Sequence, residues 1–310
     1  MARQNPTMAR RRGPQLEPPV QHSVVLDDGR RLGWTEVGDP HAPPVLYLHG
    51  VPGTGAEIGT LRDLAEDAGV RLIGVDRPGF GASDPQPGRS LLDHVQDLVA
   101  TADALRLDRP AVVGYSGGGP YALGCGAVAA DRFGAIGIVA GAGPVHGKES
   151  WKRMDSTDRF LTWLGRRAPR TGGVIVAGAG WFTRALPAAG QRVWVMDLPA
   201  ADRATIERRP NQARAHLELL ARTMASSGTA VVEDERVLAD PWGFALADVR
   251  TEVHWWHGAE DTTVPLEEAA AVIDVLPDVD LTVVADAGHL LWSHCGDVVF
   301  RTLRSSGSDG

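Results

Sequence analysis

Cysteine and lysine are nearly absent from this 310-residue chain. Two cysteines, Cys125 and Cys295, cannot build a disulfide framework, and their wide separation excludes the clustered spacing of a structural metal site. Both read as small core residues. Lysine occurs only as Lys148 and Lys152, so arginine carries nearly all the positive charge. No apolar run approaches the roughly 18 residues that a membrane span needs. The longest candidates, 133–144 and 172–181, are short and rich in glycine and alanine. Basic runs interleaved with aromatics are missing too, so neither a nucleic acid nor a membrane is expected as a partner. The triplet Arg10, Arg11 and Arg12 is followed by Gly-Pro-Gln-Leu-Glu-Pro-Pro and not by an apolar segment, which argues against an export signal. Residues 1–20 read as a disordered basic tail, and a cytoplasmic location is expected.

What remains is ordinary for a globular protein. Hydrophobic residues make up 43% and charged residues 23%, and the chain is long enough to bury a core without covalent staples. The net charge of −8 is unevenly spread: residues 1–19 carry +3, and residues 146–236 carry fifteen basic against ten acidic side chains. A basic middle segment therefore sits in an acidic body. It either holds on to that body by complementary charge or attracts anionic substrates.

Along the chain, strand and helix patterns alternate. His22–Leu26, an Asp-Asp-Gly turn at 27–29 and Arg31–Val37 read as a hairpin. Strand patterns follow at Pro44–His49, Val70–Val75, Pro110–Tyr115 and Phe133–Ala140, with helical spacing over Glu57–Ala68, Ser90–Leu105 and Gly117–Ala130. The alternation lapses after Pro144. It resumes with strands at Val253–His257 and Leu281–Val284 and helices at Pro265–Leu276 and Val298–Leu303. Between them, Trp151–Leu164, Ala201–Arg208 and Asn211–Met224 read as helices. The fold class is thus α/β, a mostly parallel central sheet with helices on both faces and an α-helical cap inserted between two strands. The boundaries expected are 21–145 and 237–310 for the core and 146–236 for the cap.

The chemistry-bearing signal is Gly114-Tyr115-Ser116-Gly117-Gly118, directly after a strand pattern and directly before a helix. This is a nucleophile elbow, a turn so tight that the residues two before and two after the serine must be small. A nucleophilic serine needs a base and an acid to orient that base. Chain order in such a sheet puts the acid next and the histidine last. Asp261 follows the strand ending at His257, and His289 follows the strand ending at Val284. Glu260 offers a second carboxylate beside Asp261, and Asp286 reads as a loop-shaping residue. His94, His216 and His294 fall in helices as surface or packing residues, and His257 reads as structural. An oxyanion needs two backbone donors; the N–H groups of Gly117 and of Val51, in His49-Gly50-Val51-Pro52-Gly53, are the candidates. His49 itself reads as a turn-stabilising residue.

With these residues in place, the chain resembles the α/β-hydrolase superfamily, in its single-domain branch with a helical cap. The resemblance rests on His49-Gly50-Val51-Pro52-Gly53, Asp76-Arg77-Pro78-Gly79-Phe80-Gly81, Gly114 to Leu123, His257-Gly258-Ala259-Glu260-Asp261 and Gly288-His289, in that order, within residues 21–304. It implies Ser116 as nucleophile, Asp261 as acid, His289 as base, Val51 and Gly117 as oxyanion donors, and Asp76 as structural. Many members carry a side chain after the nucleophile. Gly117 is a departure expected to leave that donor less restrained by packing. Relatives that open epoxides or remove halide carry Asp at the elbow, so Ser116 argues against both activities.

The cap segment contains Trp151, Trp163, Trp181, Phe182 and Trp194, which either pack it onto the body or line an apolar substrate pocket. His49, Tyr115, Trp151, Trp181 and Leu290 are the pocket candidates. The expected function is cleavage of a small or medium apolar carboxylic ester, lactone or thioester, with no metal or organic cofactor implied. Two other classes share these residues. One is a non-hydrolytic enzyme on the same triad, such as an acyltransferase, C–C bond hydrolase, lyase or cofactor-free haloperoxidase/perhydrolase. The other is a low-turnover ligand-binding receptor.

Overall fold

The computed structural model describes residues 20–144, 151, 156–196 and 198–306. The tail expected over 1–20 (Val20 apart), residues 152–155 of the helix expected from Trp151, and the C-terminal residues 307–310 lie outside the described residues.

Strands β1 (Val20–Val25), β2 (Arg31–Val37), β3 (Pro44–Leu48), β4 (Arg71–Val75), β5 (Ala111–Tyr115), β6 (Ile136–Val139), β7 (Val253–Gly258) and β8 (Val279–Val284) form one sheet in the order β1-β2-β4-β3-β5-β6-β7-β8. The β1–β2 hairpin turns at Gly29, whose φ of +85° is open to glycine without strain. The pairings β1–β2 and β2–β4 are antiparallel, and the pairings from β4 through β8 are parallel. The central strands are apolar on both faces: every residue of β5, β6 and β7 is buried, as expected where helices cover a parallel sheet on both sides.

Alternation along the strands divides the core. Leu46 and Leu48 of β3 face the cluster that contains Leu91, Val95 and Leu98 of helix α2 (Leu91–Ala104) and Tyr121 to Leu123 of α3 (Gly119–Val128). Val45 and Tyr47 face the other cluster, formed with α1 (Arg62–Ala68) and with α10 (Trp292–Ser306) through Val299, Phe300 and Leu303. Helix α2 starts at a capping box, in which Ser90 and Asp93 bond reciprocally.

After β6 the chain leaves the sheet through α4 (Ser156–Arg167), α5 (Pro169–Ala185), α6 (Pro187–Met196), α7 (Ala200–Arg208) and α8 (Pro210–Ala239). It returns at β7, the hydrogen-bonded neighbour of β6. Helix α9 (Leu266–Ile273) then joins β7 to β8. Two differences from the sequence expectation stand out. The last helix begins at Trp292 and not Val298, because Trp292, Cys295, Val299, Phe300 and Leu303 form one stripe facing the sheet. Helix α8 runs thirty residues, through a kink at Ser227, where the pattern alone marked only Asn211–Met224.

Candidate active site

Ser116 sits where β5 passes into a turn of 3-10 helix and then α3. Its φ of +52° is a left-handed conformation that a serine adopts only at a cost, stored by the tight turn. The flanking glycines are obligatory. A Cβ at Gly114 would collide with the carbonyl of Gly118, and one at Gly118 with the carbonyl of Leu48.

Three loops converge on the serine. His289 Nε2 lies 3.0 Å from Ser116 Oγ, and His289 Nδ1 lies 2.8 Å from Asp261 Oδ2. The other carboxylate oxygen of Asp261 accepts the N–H groups of Thr263 and Val264, each at 2.9 Å. Glu260 is exposed, and Asp261 is the buried carboxylate that meets His289. His257 donates from Nε2 to the Val264 carbonyl at 2.8 Å and accepts the Trp255 indole N–H at 3.2 Å. Asp286 has φ of +53°, which shapes the turn leading to His289.

Electrostatics shift the two partners in opposite directions. Burial opposes ionisation of Asp261, but the charge and hydrogen bond of His289 outweigh it and hold this carboxyl below the usual range. Burial likewise opposes a charged His289. The Asp261 charge and hydrogen bond, with Asp202 and Asp158, overcome it and raise the imidazole above the ordinary value. His49 behaves in the opposite way: burial and the Arg77 guanidinium depress it well below the usual range, so it stays neutral. Its Nδ1 bonds the Gly50 carbonyl at 2.9 Å and its Nε2 accepts the Arg77 N–H, as a turn-stabilising residue does.

The loop from His49 to Gly53 brings Val51 against Gly117. A Cβ on Gly117 would stand 2.9 Å from Val51 Cγ2 and 3.0 Å from Leu238 Cδ1. The expectation that Gly117 is loosely packed is therefore corrected, since neighbouring side chains fill the space a larger residue would need.

A family model described as the alpha/beta hydrolase family matches residues 45–302. The chain belongs to the alpha/beta hydrolase family. It is 37% identical over 123 residues to a proline iminopeptidase of Xanthomonas citri, a segment covering 38% of this chain and 37% of that protein. It is 36% identical over 91 residues to the esterase YbfF of Escherichia coli, covering 29% and 35%. These matched segments span little more than a third of either relative. Among solved structures, an esterase from Exiguobacterium antarcticum superposes with a TM-score of 0.67 at 18% identity, over 93% of this chain and 99% of that one.

In this alpha/beta hydrolase the inserted helices reach directly into the site. Asp202 of α7, fully buried, accepts the backbone N–H of His289 at 3.0 Å and of Leu290 at 2.9 Å, one on each carboxylate oxygen. Asp234 of α8, also fully buried, accepts Arg77 Nε at 2.7 Å, the Tyr121 hydroxyl at 3.2 Å and the Arg89 guanidinium. Arg77 in turn donates to the carbonyls of His49 and Gly50 at 2.5 and 2.8 Å. These residues escaped sequence reasoning. Arg77 lay inside a motif whose Asp76 drew attention, and Asp76 does tie loops together through Gly55 and Ala82. Nothing in local spacing relates Asp202 to a histidine 87 positions away.

A cavity is lined by Tyr115 and Leu290, the chain neighbours of Ser116 and His289, together with Trp292, Trp194, Ile206 and His216 and with polar groups such as Glu57 and Arg209. Ser116, Asp261 and His289 are not part of its lining. Tyr115 also donates its hydroxyl to the His289 carbonyl at 3.2 Å. Two pocket candidates stand elsewhere. Trp181 is 60% exposed on α5, with Arg184 over its ring, and Trp151 carries the Arg166 guanidinium. Their places are taken by Trp194, and by His216, which its helical position had marked as surface or packing. His49 is wholly buried beneath the loop and lines no part of this cavity.

Proposed function

We propose that this chain is a serine hydrolase that cleaves a carboxylic ester, lactone or thioester through an acyl-enzyme. The observation that carries the reading is the unbroken hydrogen-bonded line from Ser116 Oγ through His289 to Asp261. His289 takes the hydroxyl proton as Ser116 attacks the carbonyl carbon. The tetrahedral oxyanion is held by the N–H groups of Val51 and Gly117. Collapse expels the alcohol or thiol, which receives the proton from His289, and the acyl group stays on Ser116. Water, deprotonated by His289, then attacks the acyl carbon and releases the acid. Asp261 holds the imidazole tautomer and offsets its positive charge. Helices α4 to α8 act as a cap over this site, and the cavity beneath them, lined by Trp292, Trp194 and Ile206, suits an apolar acyl or alcohol group.

Amide cleavage is the second reading, favoured by the similarity to a proline iminopeptidase. Turnover of a panel of p-nitrophenyl esters, lactones and amino-acyl anilides separates the two. We expect ester or lactone turnover to dominate and Ser116→Ala to lower it by up to about a million-fold. Anilides turned over faster than every ester would move the assignment to the amide reading, and undiminished turnover in the Ser116→Ala protein would overturn both.

A further inference from the structure

Helix α5 is apolar on two opposite sides, and only one of them is covered. Gly172, Gly173, Val176 and Gly180 are buried against α8, where the glycines allow close backbone approach. The other side presents Val174, Ile175, Trp181 and Phe182, which are 73%, 46%, 60% and 48% exposed, with open space around Gly178 between them. A helix that is apolar all round is ordinarily buried all round. Scattered exposed apolar residues are normal, but a continuous stripe along one helix marks an interaction surface. Val193 and Met196 of α6, 63% and 71% exposed, extend the apolar character into the next helix.

On α5 and α6 the charges beside this stripe are of one sign, while Glu218 of α8, paired with Arg222, shares a groove with Trp181 and Arg184. Helices α5 and α6 contain Arg170, Arg184 and Arg192 and no acidic residue, and Arg167 closes α4 just before them. All four arginines are exposed, and Arg184 lies over the Trp181 ring, 4.9 Å from its centroid. This is the composition of a helix lying in the plane of a lipid interface: aromatic and aliphatic side chains enter the acyl boundary, and arginines meet anionic headgroups at its rim. A second copy of the chain fits worse. Self-complementary pairing of two such faces would set arginine against arginine, with no carboxylate on α5 or α6 to answer them and the neighbouring Glu218 already paired with Arg222.

We propose that the outer face of α5 docks this protein on an anionic lipid surface. Among the described residues no helix is long and apolar enough to cross a membrane, and in-plane docking requires none. The proposal stands apart from the hydrolase reading, because its test reads binding and not turnover. The full-length protein is floated on a density gradient with vesicles of mixed phosphatidylglycerol and phosphatidylcholine, and with vesicles of phosphatidylcholine alone. The wild type should partition to the mixed vesicles at least about tenfold more strongly, and lose that preference in high salt. The pair Trp181→Ser and Phe182→Ser should reduce partitioning by about tenfold or more while keeping the wild-type circular dichroism. Val174→Ser with Ile175→Ser serves if that pair does not fold. Absence of the wild type from the floating fraction, or undiminished flotation of the folded variants, overturns the proposal. So does a wild-type dimer in sedimentation that the variants convert to monomer without any vesicle binding, which would assign the face to a second copy.

Discussion

His289 is engaged on both ring nitrogens, by Asp261 on one side and Ser116 on the other, while its backbone N–H is held by Asp202 and its carbonyl by Tyr115. The side chain acts as a base only when neutral. Because its pKa lies above the ordinary value of about 6.5, kcat/KM should rise with pH through a midpoint above that value. Asp261, Asp202 and Asp158 are the carboxylates that act on it. His216 and His257 feel its positive charge in return, beneath the larger effect of their own burial. Asp202→Asn removes one negative charge but keeps a side-chain oxygen for one of the two N–H groups. The acid limb should therefore move to lower pH, with kcat reduced by about tenfold or more as the histidine loop loses its second anchor. Paired pH–rate profiles of wild type and variant check this, and an unmoved limb would show that Asp202 only supports the loop. The three residues that hydrogen-bond in line, Ser116, His289 and Asp261, were legible in the motifs, since a strained serine between small residues leaves a signature in consecutive positions. The anchors were not, because Asp202, Tyr115 and Arg77 act through backbone groups distant in sequence.

At the scale of elements, strands were legible where burial on both faces leaves an unbroken apolar run, as in Val45 to Leu48 and Ala111 to Val113. The inserted helices were harder. Helix α5 has no single polar face, so the 3.6-residue signal is weak, and its glycines read as breakers when they are in fact points of close contact with α8. Helix α8 lost its pattern beyond Met224, because Ser227 kinks it and the remaining turns carry Glu233, Asp234 and Arg236 into contact with the body. Asp234 is the element-level tie, joining α8 to the loops after β4 and to α3. Asp234→Ala leaves the buried guanidinium groups of Arg77 and Arg89 without their carboxylate, a change that costs about 3–5 kcal/mol. The expected result is a lowered melting temperature in calorimetry together with reduced turnover, since Arg77 also holds the His49–Gly50 carbonyls. An unchanged melting temperature would mean that the network carries little of the stability.

Over the whole molecule, the basic segment 146–236 reads either as attracting anionic substrates or as gripping an acidic body by complementary charge. Its buried attachments run the other way. The insert supplies the carboxylates Asp202 and Asp234, and the body supplies arginines and backbone N–H groups. Arginines of α5 and α6 remain outward, where net charge alone could not distinguish a clamp from an exposed rim. The same arrangement makes the inserted helices part of the site, because the loop bearing His289 and the loop bearing Val51 each receive a buried bond or a bonded partner from them. An activated serine at position 116 is checked most directly by intact-mass analysis after treatment with a fluorophosphonate probe. One adduct is expected on the wild type, none on Ser116→Ala and a strongly slowed reaction on His289→Ala. An unmodified wild type that remains folded, or an adduct retained in Ser116→Ala, would contradict it.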